Sequence, residues 1–332
     1  MKLNKLMNDF LQDYLDQNKV EFSDWSINVN NQEGFGDYSS NIALKLAKIL
    51  KKAPIEIAKS IANHPNTSEK VFTWRSSEPG CVHFHISNDY YLEILKQIIS
   101  ESENFGKKKK LNQSANVEFV SSNPTGPLTV GHGRQAILGD MVSNILTWNG
   151  YDVTREYYYN DAGKQMRVLA ESCYAKYAQQ IGKKVEMPEN GYVGTYLDEI
   201  AEKIINKHGK DLESDNPIFR DFTEKEIFEN IKNTLDSIGI KFDVFTKEGT
   251  FYENGAIEDV LKILKEKNLS YEKDGAVWFK TSKLNKEEDK VLVKSSGEPT
   301  YRLPDIAYHA DKVDRGFDLI VDIFGADHID TY

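Results

Sequence analysis

The run SSNPTGPLTVGHGRQAILGD at residues 121–140 indicates the fold more directly than any other part of the chain. It follows an apolar run typical of a strand, turns at Pro124 and Gly126, and enters a helix near Gly131 and His132. Glycine lets a backbone approach a ligand closely, and a helix N-terminus offers free N–H groups and a positive dipole to an anion. We therefore predict a strand–turn–helix unit that can hold a phosphate group, although similar turns in other open α/β sheets bind nothing.

Strand and helix patterns alternate around this unit. The runs VEFVSS at residues 117–122 and VTREYYY at residues 153–159 predict two strands, and the helical stripe between them ends at Gly150. A strand–helix–strand order predicts a parallel sheet. The same pattern returns later in the runs FDVF, AVWFKT, VLVKSS and DLIVDIFGA. The polar stretch at about residues 180–235 is less regular, and we interpret it as a helical insertion.

The N-terminal part of the chain has a different pattern. It opens with an amphipathic helix, and a glycine-rich turn at residues 34–37 precedes three residues suited to cap a helix over Ile42–Leu50, namely Ser39, Ser40 and Asn41. Glycine and four consecutive lysines at residues 106–110 indicate a solvated linker. We therefore predict a small α+β domain at residues 1–108 and an α/β domain at residues 109–332.

One predicted strand of the N-terminal part carries two histidines. Apolar side chains at Val82, Phe84 and Ile86 alternate with His83 and His85, which is typical of a strand with one wet face. Two histidines at this spacing can bind a metal ion, but no third ligand lies nearby in the sequence. We interpret both histidines as solvent-facing residues.

Composition restricts the class of protein. The formal net charge of −10 argues against a generally basic nucleic-acid coat, although a local basic patch remains compatible with it. The two cysteines, Cys81 and Cys173, are too few for a disulfide framework. No apolar run approaches the ~20 residues of a membrane span, and aspartates interrupt the first helix where a secretory signal has an apolar core. We predict a cytoplasmic protein.

The run NPTGPLTVGHGR resembles the HIGH signature of class I aminoacyl-tRNA synthetases, in the form NPTGPLHVGHGR found in arginyl-tRNA synthetases. In that family the signature binds the ATP phosphates and helps to stabilise the transition state of amino-acid activation. Thr129 stands where the first histidine is expected, and its hydroxyl can hydrogen-bond to a phosphate oxygen but cannot carry a positive charge. The resemblance implies catalytic roles for His132 and Thr129, and ATP contacts by Pro124, Gly126, Thr129, Gly131 and His132.

Other runs resemble the same family in the same order. GFGDYSSNIALKLAK at residues 34–48 resembles the additional N-terminal domain, which contacts the tRNA elbow, and YYYNDAGKQM, FDVFTKEGTFYENG and KSSGEPTYRLPDIAYHADK resemble segments of the catalytic domain. The resemblance implies an α/β protein, with a Rossmann-like parallel-sheet catalytic domain behind a small α+β domain. It further implies an arginine–tRNA ligase that uses ATP with Mg²⁺ on the nucleotide, acts on L-arginine and the arginine tRNA, and is a monomer.

The resemblance extends to an amino-acid pocket. Carboxylates grip a planar guanidinium in bidentate fashion, so an arginine pocket needs at least one of them. Tyr301 and Asp305 match the family's Tyr-x-x-x-Asp pair, which holds the guanidinium, and Glu248 matches a glutamate that faces the same ligand. Taken alone, Asp305 is more often a helix-start residue and Glu248 is more often a solvated turn residue. We place the first residue of the helix that carries Asp305 at Pro304.

Three further residues complete the predicted arginine site. Asn123 matches the residue that contacts the α-amino group. Asp327 and His328 follow the strand DLIVDIFG, where open α/β sheets bind ligands, and the resemblance implies a ligand contact by one of the two.

Two alternatives to an arginine–tRNA ligase stay open at this stage. The sequence ends at Tyr332, before the second signature loop and the anticodon-reading helical domain of the family it resembles. We therefore expect an incomplete catalytic domain without full aminoacylation activity of its own. A non-catalytic tRNA-binding protein derived from a synthetase is one alternative, and Thr129 favours it. A class I synthetase of another specificity is the second, and the two predicted pocket carboxylates argue against it.

Overall fold

The computed structural model describes residues 2–31, 34–65, 69–161 and 163–325. Two compact units make up the chain, Met1–Gly106 and Lys107–Tyr332. The part of the chain that is described contains no helix long and apolar enough to cross a membrane.

The first unit is an antiparallel sheet with helices packed against it. The sheet has the strand order β1-β2-β4-β3, and its core includes Leu11, Leu46, Ile57, Phe72 and Phe84. The elements in chain order are α1 (Lys2–Gln17), β1 (Ile27–Val29), β2 (Tyr38–Ser40), α2 (Ile42–Leu50), α3 (Pro54–Ala62), β3 (Phe72–Ser77), β4 (Cys81–Ile86) and α4 (Asn88–Glu101). The predicted helix over Ile42–Leu50 is confirmed. Asn41 directly precedes this helix, but the predicted capping hydrogen bond from its side chain is absent. The Asn41 side-chain oxygen accepts the backbone N–H of Ser26 (3.3 Å) instead.

The prediction of a solvent-facing histidine pair is wrong for His83. Val82, Phe84 and Ile86 are buried as expected, but His83 is also buried, because its ring lies against Phe35 and its Nε2 is 2.7 Å from Ser77 Oγ. Burial, followed by the charge of His85, lowers the pKa of His83. His85, on the same face of β4, is half-buried.

The second unit contains a parallel sheet, as the alternating pattern predicts. The strand order is β11-β5-β6-β7, and every neighbouring pair is parallel. Its strands are β5 (Ser114–Glu118), β6 (Asp152–Tyr159), β7 (Val244–Lys247) and β11 (Leu319–Asp322), and its helices are α5 (Val130–Trp148), α6 (Gly163–Gln180), α7 (Thr195–His208), α8 (Ile218–Ser237), α9 (Gly249–Glu253), α10 (Ala256–Glu266) and α11 (Arg302–Asp314). A small antiparallel sheet precedes α11 and contains β8 (Ser270–Lys273), β9 (Ala276–Phe279) and β10 (Lys290–Val293).

Apolar side chains cover both faces of the parallel sheet, as parallel sheets require. In β6, Tyr157 and Tyr159 belong to the larger core, which they share with α6, α7 and α8. Tyr158 points to the opposite face and belongs to a smaller core with α9, α10 and α11. The weakly patterned region 180–235 therefore contributes two helices to the main core.

The predicted strand VEFVSS is wrong at both ends, since β5 spans Ser114–Glu118. Val120 and Ser121 have positive φ angles of 67° and 44°, which L side chains rarely adopt and which a strand cannot contain. The buried Tyr157 hydroxyl holds the resulting bend, because it donates to Ser122 O (2.8 Å) and accepts from Ser122 N–H (3.1 Å). The chain therefore turns sharply just before the signature run.

A close helix–strand contact fixes α5 against the segment that follows β5. A Cβ atom at Gly139 would lie only 2.0 Å from Phe119, whereas one at Gly133, on the same helix, would meet no atom within 4 Å. Glycine in a helix interior lowers stability by about 0.5–1 kcal/mol relative to alanine. At Gly139 the close approach of Phe119 leaves no room for a larger residue.

We expect opposite effects of alanine at these two glycines. Gly139→Ala should lower the free energy of unfolding by about 1–3 kcal/mol, because the added methyl overlaps Phe119. Gly133→Ala should raise it by about 0.5–1 kcal/mol through helix propensity alone. Urea unfolding of both variants measures the difference, and equal effects would contradict the observed packing.

Candidate active site

A cavity of about 1190 Å³ opens at the carboxyl ends of the parallel strands. Its wall contains the segment after β5, the first turn of α5, the end of β6, the residue after β7, the start of α11 and the segment after β11. This edge is where open α/β sheets bind ligands, because the loops there diverge and leave a crevice. The predicted site residues Asn123, Thr129, Gly131, His132, Glu248, Tyr301 and Asp305 all line the cavity.

Two predicted site residues do not line the cavity. Pro124 is buried and does not line the cavity. Gly126 is also absent from the cavity wall, and a Cβ at this position would meet the ring of Tyr196. The Tyr196 hydroxyl donates to Thr125 O (2.7 Å), so the turn is anchored to α7 on that side. Asp327 and His328 fall outside the described residues.

The start of α5 brings the signature side chains together. Thr129 precedes the first residue of the helix, and its backbone N–H donates to His132 Nδ1 (3.1 Å). Thr129 Oγ1 lies 3.3 Å from the same nitrogen. Because Nδ1 accepts a hydrogen bond, a neutral His132 ring carries its hydrogen on Nε2. The free N–H groups of the first turn and the Nε2–H group are therefore available as donors to an anion at the positive end of the helix dipole.

Glu248 is a buried carboxylate on the wall of the same cavity. It is only 5% exposed, its Oε2 accepts from the Tyr158 hydroxyl (3.0 Å) and its Oε1 accepts from Asn160 Nδ2 (2.8 Å). Burial raises the pKa of Glu248 to about 7; the Tyr158 hydrogen bond opposes this rise, and the charges of Asp305 and Asp161 add to it. No lysine or arginine in the described ranges pairs with Glu248. An unneutralised buried carboxylate favours a cationic ligand.

The start of α11 places the second carboxylate beside the first. Asp305 lies in the first turns of the helix, half-buried, and is close enough for its charge to raise the pKa of Glu248. Tyr301 immediately precedes the helix and is 57% exposed. The helix begins at Arg302, so the prediction that it begins at Pro304 is wrong. Proline is tolerated there because the first N–H groups of a helix have no partner within it.

Asn123 is held by the turn after β6. Its Oδ1 accepts the backbone N–H of Asn160 (2.9 Å) and its Nδ2 donates to Gln165 Oε1 (2.8 Å). The amide orientation is therefore set from both ends, and Asn123 stands on the cavity wall between the signature turn and the carboxylates.

Sequence analysis missed several residues of the cavity wall. Tyr158 and Asn160 hold Glu248, and both lie in the run YYYNDAGKQM, so the resemblance of that run was the available signal. Glu118 and Asp322 end strands β5 and β11 and also line the cavity. Nothing in their local sequence distinguishes them from ordinary strand ends.

The missed carboxylates share one buried cation. Lys312 Nζ donates to both Glu118 and Asp322, and the lysine side chain is fully buried. Glu118, Asp322 and His309 offer ligand atoms within 4.8 Å of one another, which is the spacing of a metal site. The ammonium group already supplies the positive charge at this position, so the arrangement does not fit a metal ion.

A parallel sheet with its ligand cavity next to a signature turn and helix defines the catalytic domain of the class I aminoacyl-tRNA synthetases. Residues 94–325 match the family described as tRNA synthetases class I (R), catalytic domain, and residues 1–86 match the arginyl tRNA synthetase N terminal domain. The chain belongs to the arginyl-tRNA synthetase family. The predicted Rossmann-like fold, preceded by a small α+β domain, is thereby confirmed.

Individual relatives agree with the family. The arginine–tRNA ligase of Desulfotalea psychrophila is 47% identical over 92% of this chain and 56% of its own length, and that of Thermotoga maritima is 44% identical over 93% and 57%. A solved chain from Campylobacter jejuni that is assigned to the arginyl-tRNA synthetases is 34% identical, with a TM-score of 0.69 over 74% of this chain and 55% of its own. The Thermus thermophilus arginyl-tRNA synthetase, at 21% identity and a TM-score of 0.57 over 92% and 52%, shares the fold. This chain thus spans little more than half the length of these relatives.

Proposed function

We propose that this chain forms the amino-acid-activating part of an arginine–tRNA ligase. One observation carries the proposal: the buried and unneutralised Glu248 shares a cavity with Asp305 and with the anion-binding start of α5. A guanidinium between the two carboxylates offsets their mutual repulsion and the cost of their burial. The membership of the family and the names of the relatives support the same activity.

The proposed reaction is the activation of arginine by ATP. Glu248 and Asp305 hold the guanidinium, Tyr301 borders it, and Asn123 contacts the α-amino group. The arginine carboxylate then attacks the α-phosphorus of ATP, a P–O bond forms, and the bond to pyrophosphate breaks. The Nε2–H group of His132 and the free N–H groups of α5 stabilise the charge that develops on the phosphate oxygens. Thr129 adds a neutral hydroxyl to this set.

Further partners and ions are part of the proposal. The arginyl group passes from the adenylate to the 3′-terminal adenosine of the arginine tRNA, and the domain at residues 1–108 contacts that tRNA. Mg²⁺ accompanies ATP and is held by phosphate oxygens and water, as is usual for this ion. The carboxylate pair Glu118 and Asp322 on the cavity wall is bridged by the ammonium group of Lys312 and does not supply such a site. We place the protein in the cytoplasm as a monomer.

Titration calorimetry with L-arginine, L-lysine and L-citrulline tests the proposed function. Arginine should bind, whereas citrulline, which has the shape of arginine without its charge, should bind at least tenfold more weakly, because a buried charged pair is worth more than ~1.4 kcal/mol. Lysine should also bind weakly, because an ammonium lacks the planar fork with which a guanidinium pairs with a carboxylate in bidentate fashion. Equal binding of arginine and citrulline would exclude the proposed guanidinium site.

A further inference from the structure

Resting on the proposed function, we infer that Tyr158 is a positioning residue of the guanidinium site. Its hydroxyl holds the Glu248 carboxylate in the orientation in which that carboxylate receives the guanidinium. The hydroxyl donates to Oε2 (3.0 Å) and the Asn160 amide donates to Oε1 (2.8 Å), so each carboxylate oxygen is fixed by one neutral donor. Each oxygen keeps a lone-pair direction for a ligand.

The Tyr158 ring is itself held rigidly. It is 9% exposed and stacks on Tyr308, with ring centroids 4.1 Å apart and an interplanar angle of 7°. Lys312 Nζ lies 4.4 Å from the centroid of the Tyr308 ring. The backbone N–H of Tyr158 donates to Ser121 Oγ (3.2 Å), so the residue is fixed from both its main chain and its ring. The position of the hydroxyl is therefore preset before any ligand binds.

The hydroxyl is the donor in its hydrogen bond to Glu248. Burial, followed by the charges of Glu248 and Asp305, raises the pKa of Tyr158 far above its ordinary value. Tyr158 is therefore protonated at neutral pH. The proton points at Glu248, where it stabilises the charged form of that carboxylate.

The Tyr158 hydrogen bond lowers the pKa of Glu248, whereas the acidic groups around this carboxylate raise it. Asp161, which follows β6, and Asp305 on α11 both raise the pKa of Glu248 through their charges. Tyr252 on α9 is the other titratable neighbour, and burial and the charges of Glu248 and Asp305 raise its pKa to about 12, so it remains neutral. The hydrogen bonds from Tyr158 and Asn160 thus oppose burial and the two aspartates, and the Tyr158 bond is the one that a tyrosine-to-phenylalanine substitution removes. Without it, Glu248 holds its proton to a higher pH, and a neutral carboxyl cannot distinguish arginine from citrulline by charge.

The test compares Tyr158→Phe with the wild-type chain in two measurements. The first is the infrared titration of the Glu248 carboxyl group without ligand, identified by its loss in Glu248→Gln. We expect a midpoint near pH 7 in the wild type and a midpoint about one pH unit higher in Tyr158→Phe, since one hydrogen bond is worth ~1 kcal/mol. The second is arginine affinity against pH. The variant should bind about fivefold more weakly at about pH 7 and almost equally at about pH 9.

Tyr252→Phe is the matched control, because the Tyr252 hydroxyl lies beside Glu248 but makes no hydrogen bond to that carboxylate. In this control, the infrared midpoint of Glu248 and the pH dependence of arginine affinity should both match those of the wild type. Recovery of affinity at high pH separates a raised pKa of Glu248 from a loss of structure, which alkali does not repair. An unchanged infrared midpoint in Tyr158→Phe overturns the inference even if the wild type binds arginine. A wild type that binds no arginine at any pH overturns the proposed function, and with it the role of Tyr158 in guanidinium binding.

Discussion

Asp305→Asn is expected to reduce arginine affinity by roughly thirtyfold to several thousandfold, which corresponds to about 2–5 kcal/mol. Asparagine keeps the shape of the side chain and removes its charge. The loss is large because the guanidinium then faces only Glu248, whose pKa of about 7 leaves it partly protonated at neutral pH. Removing the Asp305 charge also removes one of the influences that raise this pKa, so the remaining affinity should depend less on pH below neutrality.

Calorimetric titration of arginine measures this effect, and the same helix supplies the control. Asp314 is exposed near the end of α11 and does not line the cavity, so Asp314→Asn should bind arginine as the wild type does. Circular dichroism of both variants verifies that α11 is intact. Wild-type affinity in Asp305→Asn would place the guanidinium elsewhere in the cavity.

The second large effect is expected at Lys312. Lys312→Met should lower the free energy of unfolding by about 3–5 kcal/mol, because it leaves the buried Glu118 and the half-buried Asp322 without their shared cation. Methionine fills a similar volume, so loss of packing contributes little. Lys294→Met is the matched control, because Lys294 is 55% exposed and pairs with Glu298 on the surface. An exposed ion pair contributes less than about 1 kcal/mol, so this variant should lose less than that amount of stability.

The destabilisation of Lys312→Met should also depend on pH. Burial raises the pKa of Glu118, and Lys312 opposes this rise, so the variant raises the pKa further. An acid whose folded-state pKa lies above its unfolded-state value stabilises the fold below the unfolded-state pKa, and this contribution is lost as the pH rises through the folded-state pKa. In urea unfolding, the difference in free energy of unfolding between the wild type and Lys312→Met should therefore be larger at about pH 8 than at about pH 5. A difference that does not depend on pH would mean that Glu118 is not the group left unpaired.

The sequence located residues of the cavity wall most directly where one local run contains both the backbone turn and the side chain. Gly131 and His132 lie within one helical turn, so the spacing of the signature alone brings them to the cavity. Glu248 and Asp305 lie 57 positions apart in the sequence, and only the resemblance to a family suggested that they share a ligand. Pro124 and Gly126 belong to the same signature but do not line the cavity, because they shape the turn rather than face the crevice.

Local periodicity by itself determined the parallel sheet, the helix that follows the signature and the helix over Ile42–Leu50, because alternation and helical spacing record which side chains face a core. Only the tertiary structure decided what surrounds each polar group. It buried His83, ended β5 at Glu118, joined Glu118 to Lys312 across 194 residues and set Tyr158 against Glu248 across 90 residues. These outcomes depend on desolvation and on partners that are distant in the chain. Neither quantity is encoded within a short window of sequence.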